Sequence, residues 1–313
     1  MLSAQLSARS SSAEARHAST EGGCRTRADR QRRTGPRVKL RTTAIIALAC
    51  VALFALRARA QSPLDHAHAH NDYQHARPLL DALDRGYGSV EADIYLVDGA
   101  LLVAHARDSV RADRTLESLY LAPLRAWIGA HGGGVYAGRP PLTLLIDVKS
   151  HAESTWVALE PLLRRYDDVI ASWHGDSMTS RPVVAVISGE RPLVTLPAQR
   201  DRWAGLDGRL ADLDSAHATP ASAMPLVSDD WKSITKWRGR GTPPSAARRR
   251  VARAVARAHA QGRRLRFWNT PDLPVVWRIL VQSGVDLIGA DDLDALRRFL
   301  ADSAVSSRSS SAR

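Results

Sequence analysis

HAHAHNDYQHARPLLDALDRGYGSVEADIYLVDGALLVAHARD, residues His66–Asp108, sets histidines and an acidic pair around one short β-like run. Successive side chains of a strand turn to opposite faces, so Glu91 and Asp93 at i, i+2 share one face. Two carboxylates side by side repel each other unless a cation or a proton lies between them. His70 precedes the pair and His105 follows it. Imidazole titrates near neutral pH, so one ring can accept a proton while another donates one. The stretch predicts metal-assisted acid–base chemistry.

Working outward, short apolar or β-branched runs alternate with helical patterns. Strands are expected at Asp65–His70, Ser89–Leu96, Leu142–Lys149, Val183–Ser188, Trp203–Asp207, Pro225–Asp229, Arg264–Asn269 and Val285–Ala290. Leu101–His105 reads as a hairpin partner of the second strand, turning at Asp98-Gly99. Helices are expected at Pro78–Arg85, Leu116–Ala130, Thr155–Trp173, Ala246–Gln261, Leu273–Ser283 and Leu293–Asp302. Eight strands alternating with helices predict an α/β fold, a (β/α)8 TIM barrel. A doubly wound open sheet is the competing fold, but no glycine-rich phosphate loop follows the first strand. In a barrel the functional residues end the strands. His70, Glu91 and Asp93, Asp147 and Lys149, Asp229, Trp268 and Asn269, and Asp291 all fall at such ends, which predicts a single site.

The net charge of +12 invites a nucleic-acid reading. Its location argues against one, because residues 1–60 hold twelve Arg/Lys against three Asp/Glu and so carry +9 of it. Arg-rich residues 25–41, the apolar run Thr43–Leu56 and Ala58-Arg59-Ala60 have the parts of a cleaved signal peptide. The expectation is a signal peptide over 1–60, a barrel over 61–302, a disordered Ser/Arg-rich tail over 303–313, and an exported, periplasmic or extracellular location. Cys24 and Cys50 both lie before residue 61, so the rest of the chain has no cysteine for a disulfide or thiol chemistry. Five arginines of the 246–261 helix read as a solvated face.

Hard divalent cations take oxygen ligands, and Glu91, Asp93 and Asp147 supply three carboxylates for Mg2+ or Ca2+. His70 and His105 are the acid–base candidates. Lys149 is one of only three lysines after residue 60, beside Asp147 on one face, and suits phosphate neutralisation or a structural ion pair. Trp268 fits a substrate pocket or the core, with Arg266 deeper in the barrel. The alternation His66, His68, His70, with His75 nearby, also suits a zinc-dependent hydrolase. A phosphate- or lipid-binding barrel without turnover is a third reading.

At these residues the chain resembles the superfamily of glycerophosphodiester phosphodiesterases and phosphatidylinositol-specific phospholipases C. Those barrels carry a histidine ending strand one, Glu-x-Asp on strand two, a second histidine soon after, and an acidic-x-Lys at strand three. The corresponding residues are His70, Glu91-Ala92-Asp93, His105 and Asp147-Val148-Lys149. The series HAHNDY, RPLLDAL, SVEADIYLV, LLVAH, RTLESLYL and LLIDVKS, with RFWNTPD at Arg266–Asp272 and IGADDL at Ile288–Leu293, is similar to a bacterial and fungal branch. The usual His-Arg-Gly reads His70-Asn71-Asp72 here and the usual His-Asp reads His105-Ala106, so a phosphate-contacting arginine is missing at Asn71. The carboxylates plus lysine also resemble the sphingomyelinase D branch.

The resemblance implies a metal-dependent phosphoric diester hydrolase acting on a glycerophosphodiester or a phospholipid head group. His70, His105 and Lys149 would be catalytic, Asn71, Arg266 and Trp268 would contact substrate, and Glu91, Asp93 and Asp147 would hold the cation. The expected partners are that substrate and a peripheral membrane surface, with no nucleic acid, and the expected state is a monomer.

Overall fold

The computed structural model describes residues 63–214 and 219–310, with side chains to residue 302. The leader over 1–60 and its cleavage or anchoring lie outside the described residues.

The described residues form twelve strands: β1 Leu64–Ala69, β2 Tyr87–Val97, β3 Ala100–Val103, β4 Leu142–Val148, β5 Ser172–His174, β6 Ser177–Thr179, β7 Val183–Gly189, β8 Asp201–Arg202, β9 Gly205–Gly208, β10 Leu226–Asp230, β11 Arg264–Trp268 and β12 Leu287–Ala290. The helices are α1 Leu80–Leu83, α2 Ala122–Ala130, α3 Ala152–Arg164, α4 Thr195–Ala198, α5 Trp231–Ile234, α6 Ser245–Ala260, α7 Pro274–Gln282 and α8 Leu293–Ser310. Parallel pairing runs β1-β12-β11-β10-β9-β7-β4-β2, and β1 pairs with β2 as well, so eight strands close on themselves. This is the (β/α)8 barrel, and the closure removes the open-sheet alternative.

The residue pattern explains the layers. Along β4, Leu144 and Ile146 face outward into the core between strands and helices. Leu145, one step out of phase, joins Val186, Leu226 and Leu287 in a separate apolar layer inside the barrel. Asp147, in phase with Leu145, therefore rises at the mouth. The hairpin to β3 forms as expected, with Asp98 at φ 48° and Gly99 at φ 79°, the left-handed pair a two-residue turn requires.

One expectation needs correction. The helix expected over Thr155–Trp173 is α3, Ala152–Arg164, and the chain then turns into β5. Tyr166, Val169, Ile170 and Trp173 keep helical spacing, but Ile170 bridges to Val183 instead. β5, β6 and β8 form a small separate antiparallel sheet that the periodicity did not suggest. The backbone of α8 runs to Ser310, into the stretch read as a disordered tail, where no Gly or Pro interrupts it.

Candidate active site

The parallel register of β2 and β4 builds the acidic centre. It pairs Glu91 with Leu145 and Asp93 with Asp147 directly across the ladder. Glu91, Asp93 and Asp147 each offer one carboxylate oxygen, and these oxygens lie within 4.8 Å of one another. Asp93 Oδ1 and Asp147 Oδ1 are buried with no hydrogen-bond partner. A buried carboxylate oxygen left bare is costly unless a cation or proton meets it.

The three acids have different surroundings. Glu91 Oε2 accepts from Arg266 Nη2 at 2.6 Å and lies 2.9 Å from His68 Nε2. Burial alone would raise the Glu91 carboxyl, but Arg266 and His68 override it and hold it well below the usual range. Burial and the Glu91 charge push Asp93 up, against the pull of Lys149. Burial and the same neighbouring charge raise Asp147 to about 6. Lys149 Nζ stands 3.2 Å from Asp93 Oδ2 and 3.2 Å from Asp147 Oδ2, so one ammonium bridges both.

Each of the two histidines beside this centre is anchored through its Nδ1. Asp291, just past β12, accepts from His70 Nδ1 at 2.7 Å, and Asn71 Nδ2 donates to the same oxygen at 3.2 Å. Burial would lower the His70 pKa, but the Asp291 bond together with the charges of Glu91 and Asp291 outweighs it, so the pKa is raised. His105 Nδ1 is 3.0 Å from the Tyr73 hydroxyl and 3.2 Å from Asp93 Oδ2. Tyr73 OH also lies 2.7 Å from Asp93 Oδ2 and 2.6 Å from Asn71 Oδ1. With each Nδ1 engaged, each ring is fixed in orientation while its Nε2 makes no hydrogen bond among the described residues.

These groups surround an open cavity of about 450 Å³ whose walls include His70, Asn71, Glu91, His105, Asp147, Lys149, Arg266 and Trp268. The residues expected to be catalytic, to contact substrate or to hold the cation line it except Asp93, which bonds Lys149 and Tyr73, whereas Asp229, Asn269 and Asp291 do not. Arg266 is there too, but its guanidinium is buried against Glu91, so it forms the floor. Asn71 adopts φ 50°, held at the turn by its two hydrogen-bonded neighbours, and Trp268 is 38% exposed at the rim. Asp229 turns to the backbone, accepting from Leu210 N and Asp230 N.

No zinc set forms from the first-strand histidines. His66 is exposed and bonds the Asp286 carbonyl, whereas His68 is enclosed by Ser89 and Glu91, with burial and Arg266 depressing its pKa to about 3. Among the described residues only the three acids make a metal-holding group.

Three residues escaped the sequence reading. Asp291 was placed at a strand end without a role, and its pairing with His70 spans 221 residues. Tyr73 followed from no spacing rule. Gly189, at φ 67°, ends β7 so close to Asp147 that an added Cβ would lie 2.0 Å from Oδ1.

Residues 59–204 match the AIM6-like phosphodiesterase domain family. The altered inheritance of mitochondria protein 6 homolog of Arthroderma benhamiae is 30% identical over 264 residues, covering 74% of this chain and 82% of that protein. The altered inheritance of mitochondria protein 6 of Eremothecium gossypii is 31% identical over 271 residues, covering 75% of this chain and 69% of that protein. A glycerophosphodiester phosphodiesterase from Parabacteroides distasonis shares the barrel, with TM-score 0.51, 15% identity and coverage of 76% of this chain and 98% of that one. The expectation of an exported, periplasmic or extracellular protein is overturned by these relatives, which are named for the inheritance of mitochondria. A basic stretch before an apolar run is a compositional pattern and does not by itself fix a destination. With the barrel, the acidic centre and these relatives in hand, the chain belongs to the altered inheritance of mitochondria protein 6 family, whose domain is the AIM6-like phosphodiesterase domain.

Proposed function

We propose that this chain is a divalent-cation-dependent phosphodiesterase that cleaves a glycerophosphodiester or a phospholipid head group. The observation that carries the reading is the pair of buried, unpartnered oxygens on Asp93 and Asp147 beside Glu91, at a cavity that His70 and His105 also line. Three hard oxygen donors fit Mg2+ or Ca2+, and Glu91, Asp93 and Asp147 would hold the ion. When bound, the ion supplies Lewis-acid polarisation of the phosphoryl group.

The residues do the rest. Asp291 and Tyr73 fix the rings of His70 and His105 so that each Nε2 is free for proton transfer. One ring takes the proton of the attacking hydroxyl or water, and the other protonates the leaving oxygen. Lys149 lies between the acids and the cavity and offsets charge gathering on the phosphoryl oxygens. Asn71 and Trp268, at the rim, contact the substrate, and Arg266 keeps Glu91 ionised beneath it.

The test is a panel of glycerophosphodiesters, phospholipids and a chromogenic aryl phosphodiester, assayed after chelation and again with Mg2+ or Ca2+ restored. Hydrolysis that returns with the cation and falls by about two to four orders of magnitude in His70→Ala and in His105→Ala supports the reading. Undiminished activity in both variants, or no turnover of any diester, overturns it.

A further inference from the structure

One segment beside the mouth carries cations that meet no carboxylate, Arg238 and Arg250 donating to the carbonyls of Asn269 and Ile234. Residues 231–250, WKSITKWRGRGTPPSAARRR, contain Lys232, Lys236, Arg238, Arg240 and the run Arg248–Arg250, and no Asp or Glu. Among the described residues none of these cations forms an ion pair, and all are exposed. Some arginines elsewhere are neutralised, since Arg77, Arg85, Arg125 and Arg257 each meet a carboxylate. Two of the three lysines after residue 60 lie in this segment. The arginine run opens α6, whose first turn has no acidic residue. Cations there oppose the helix dipole, so they do not serve the helix.

The segment leaves the C-terminal end of β10, on the face that holds the active site. Arg238 shares with His70, Trp268 and Asn269 the wall of a second cavity, about 340 Å³, adjoining the first. Gly239 packs so closely on Leu273 that an added Cβ would lie 2.5 Å from its Cδ1. Large apolar side chains stand exposed at the same end: Trp268 at 38%, the last residue of β11, Leu273 at 39% beyond it, and Leu193 at 52% and Val194 at 76% after β7. In the barrel order β11 and β7 are separated by β10 and β9, so the two apolar spots flank the cationic segment across the mouth.

We propose that this face docks on an anionic lipid bilayer, setting the active-site mouth against the head groups. Unpaired cations are attracted to anionic head groups, while Trp and aliphatic side chains enter the interfacial region. A nucleic acid would use the cations and stack on Trp268, but it offers nothing to Leu273, Leu193 or Val194. No helix among the described residues is long and apolar enough to cross a membrane. The proposal deepens the phosphodiesterase reading, because docking presents a lipid-borne phosphodiester to the site.

The test is flotation of the full chain with phosphatidylcholine vesicles, pure or containing one part in three phosphatidylserine. The wild type is expected to float only with the anionic vesicles, and less as salt is raised. Lys232→Ala/Lys236→Ala/Arg240→Ala is expected to lose roughly a hundredfold in vesicle affinity, from several-fold per surface cation. Arg248→Ala/Arg249→Ala is expected to weaken binding independently, and circular dichroism checks that both variants are folded. Both should hydrolyse a water-soluble phosphodiester at the wild-type rate. Equal binding to neutral and anionic vesicles, or undiminished binding by both variants, overturns the proposal. Tighter binding to an oligonucleotide than to anionic vesicles at the same salt assigns the face to nucleic acid and also overturns it. A wild type that floats but cleaves no diester leaves the docking surface standing and removes the catalytic reading.

Discussion

Asp93 on β2 and Asp147 on β4 are direct register partners, and the ammonium of Lys149 stands 3.2 Å from an oxygen of each. Their other oxygens are buried without partners. The lysine neutralises one side of the pair and leaves the opposite side for a cation. Lys149→Met is therefore expected to bind Mg2+ or Ca2+ at least as tightly as the wild type, because a competing positive charge is gone. Its turnover should fall by about 10²- to 10³-fold through loss of charge stabilisation at the phosphoryl group. Calorimetric metal titration beside steady-state kinetics checks this; parallel loss of both would make Lys149 a structural residue.

Gly189 defends the same oxygen from the other side. An added Cβ would lie 2.0 Å from Asp147 Oδ1 and 2.4 Å from the Val148 carbonyl, at φ 67°. Gly189→Ala should lower thermal stability, with strain on the order of 1–3 kcal/mol, and weaken metal binding by displacing Asp147. Gly99→Ala is the control, since Gly99 has φ 79° but nothing within 4 Å of its added Cβ. It should show backbone strain and normal metal affinity.

The bond from His70 to Asp291 raises the imidazole pKa despite burial, which acts the other way. Asp291→Asn removes the charge that favours the imidazolium, so the His70 pKa must fall. If His70 acts as base, the acidic limb of the pH–rate profile moves to lower pH; if it acts as acid, the alkaline limb does. One limb therefore shifts downward in either case, and the rate drops by roughly tenfold to a hundredfold. A smaller rate with an unmoved profile would show that Asp291 only shapes the loop.

Beneath the cavity, Glu91 and Arg266 are a buried ion pair, each side chain 4% exposed. Arg266→Met strands the Glu91 carboxylate, which should cost about 3–5 kcal/mol of stability. Chemical denaturation measures it. A change below about 1 kcal/mol would mean that Glu91 is satisfied without the guanidinium.

Much of this was readable in the chain, for definable reasons. A strict alternation on β4 put Thr143, Leu145 and Asp147 on one face, and a parallel barrel brings strand ends to one mouth, so Glu91, Asp93, Asp147 and Lys149 converged without knowledge of any contact. The partners of His70 and Glu91 were hidden because Asp291 and Arg266 lie 221 and 175 residues away, beyond any local pattern. The same limit left His68 ambiguous: its spacing from His66 and His70 suggested a ligand, and only its enclosure by Ser89 and Glu91 identifies a buried structural imidazole. The overlong third helix has a related cause, since local periodicity past Arg164 mimics a helix where a tertiary bridge from Ile170 to Val183 decides.

The most direct test of the central claim is a titration of Mg2+ or Ca2+ into chelator-stripped protein, with phosphodiester hydrolysis followed in the same samples. The account predicts saturable binding at the Glu91–Asp93–Asp147 centre, activity restored over the same concentration range, and loss of both in Asp93→Asn/Asp147→Asn. Full hydrolysis in the presence of chelator, with no ion bound, would contradict it.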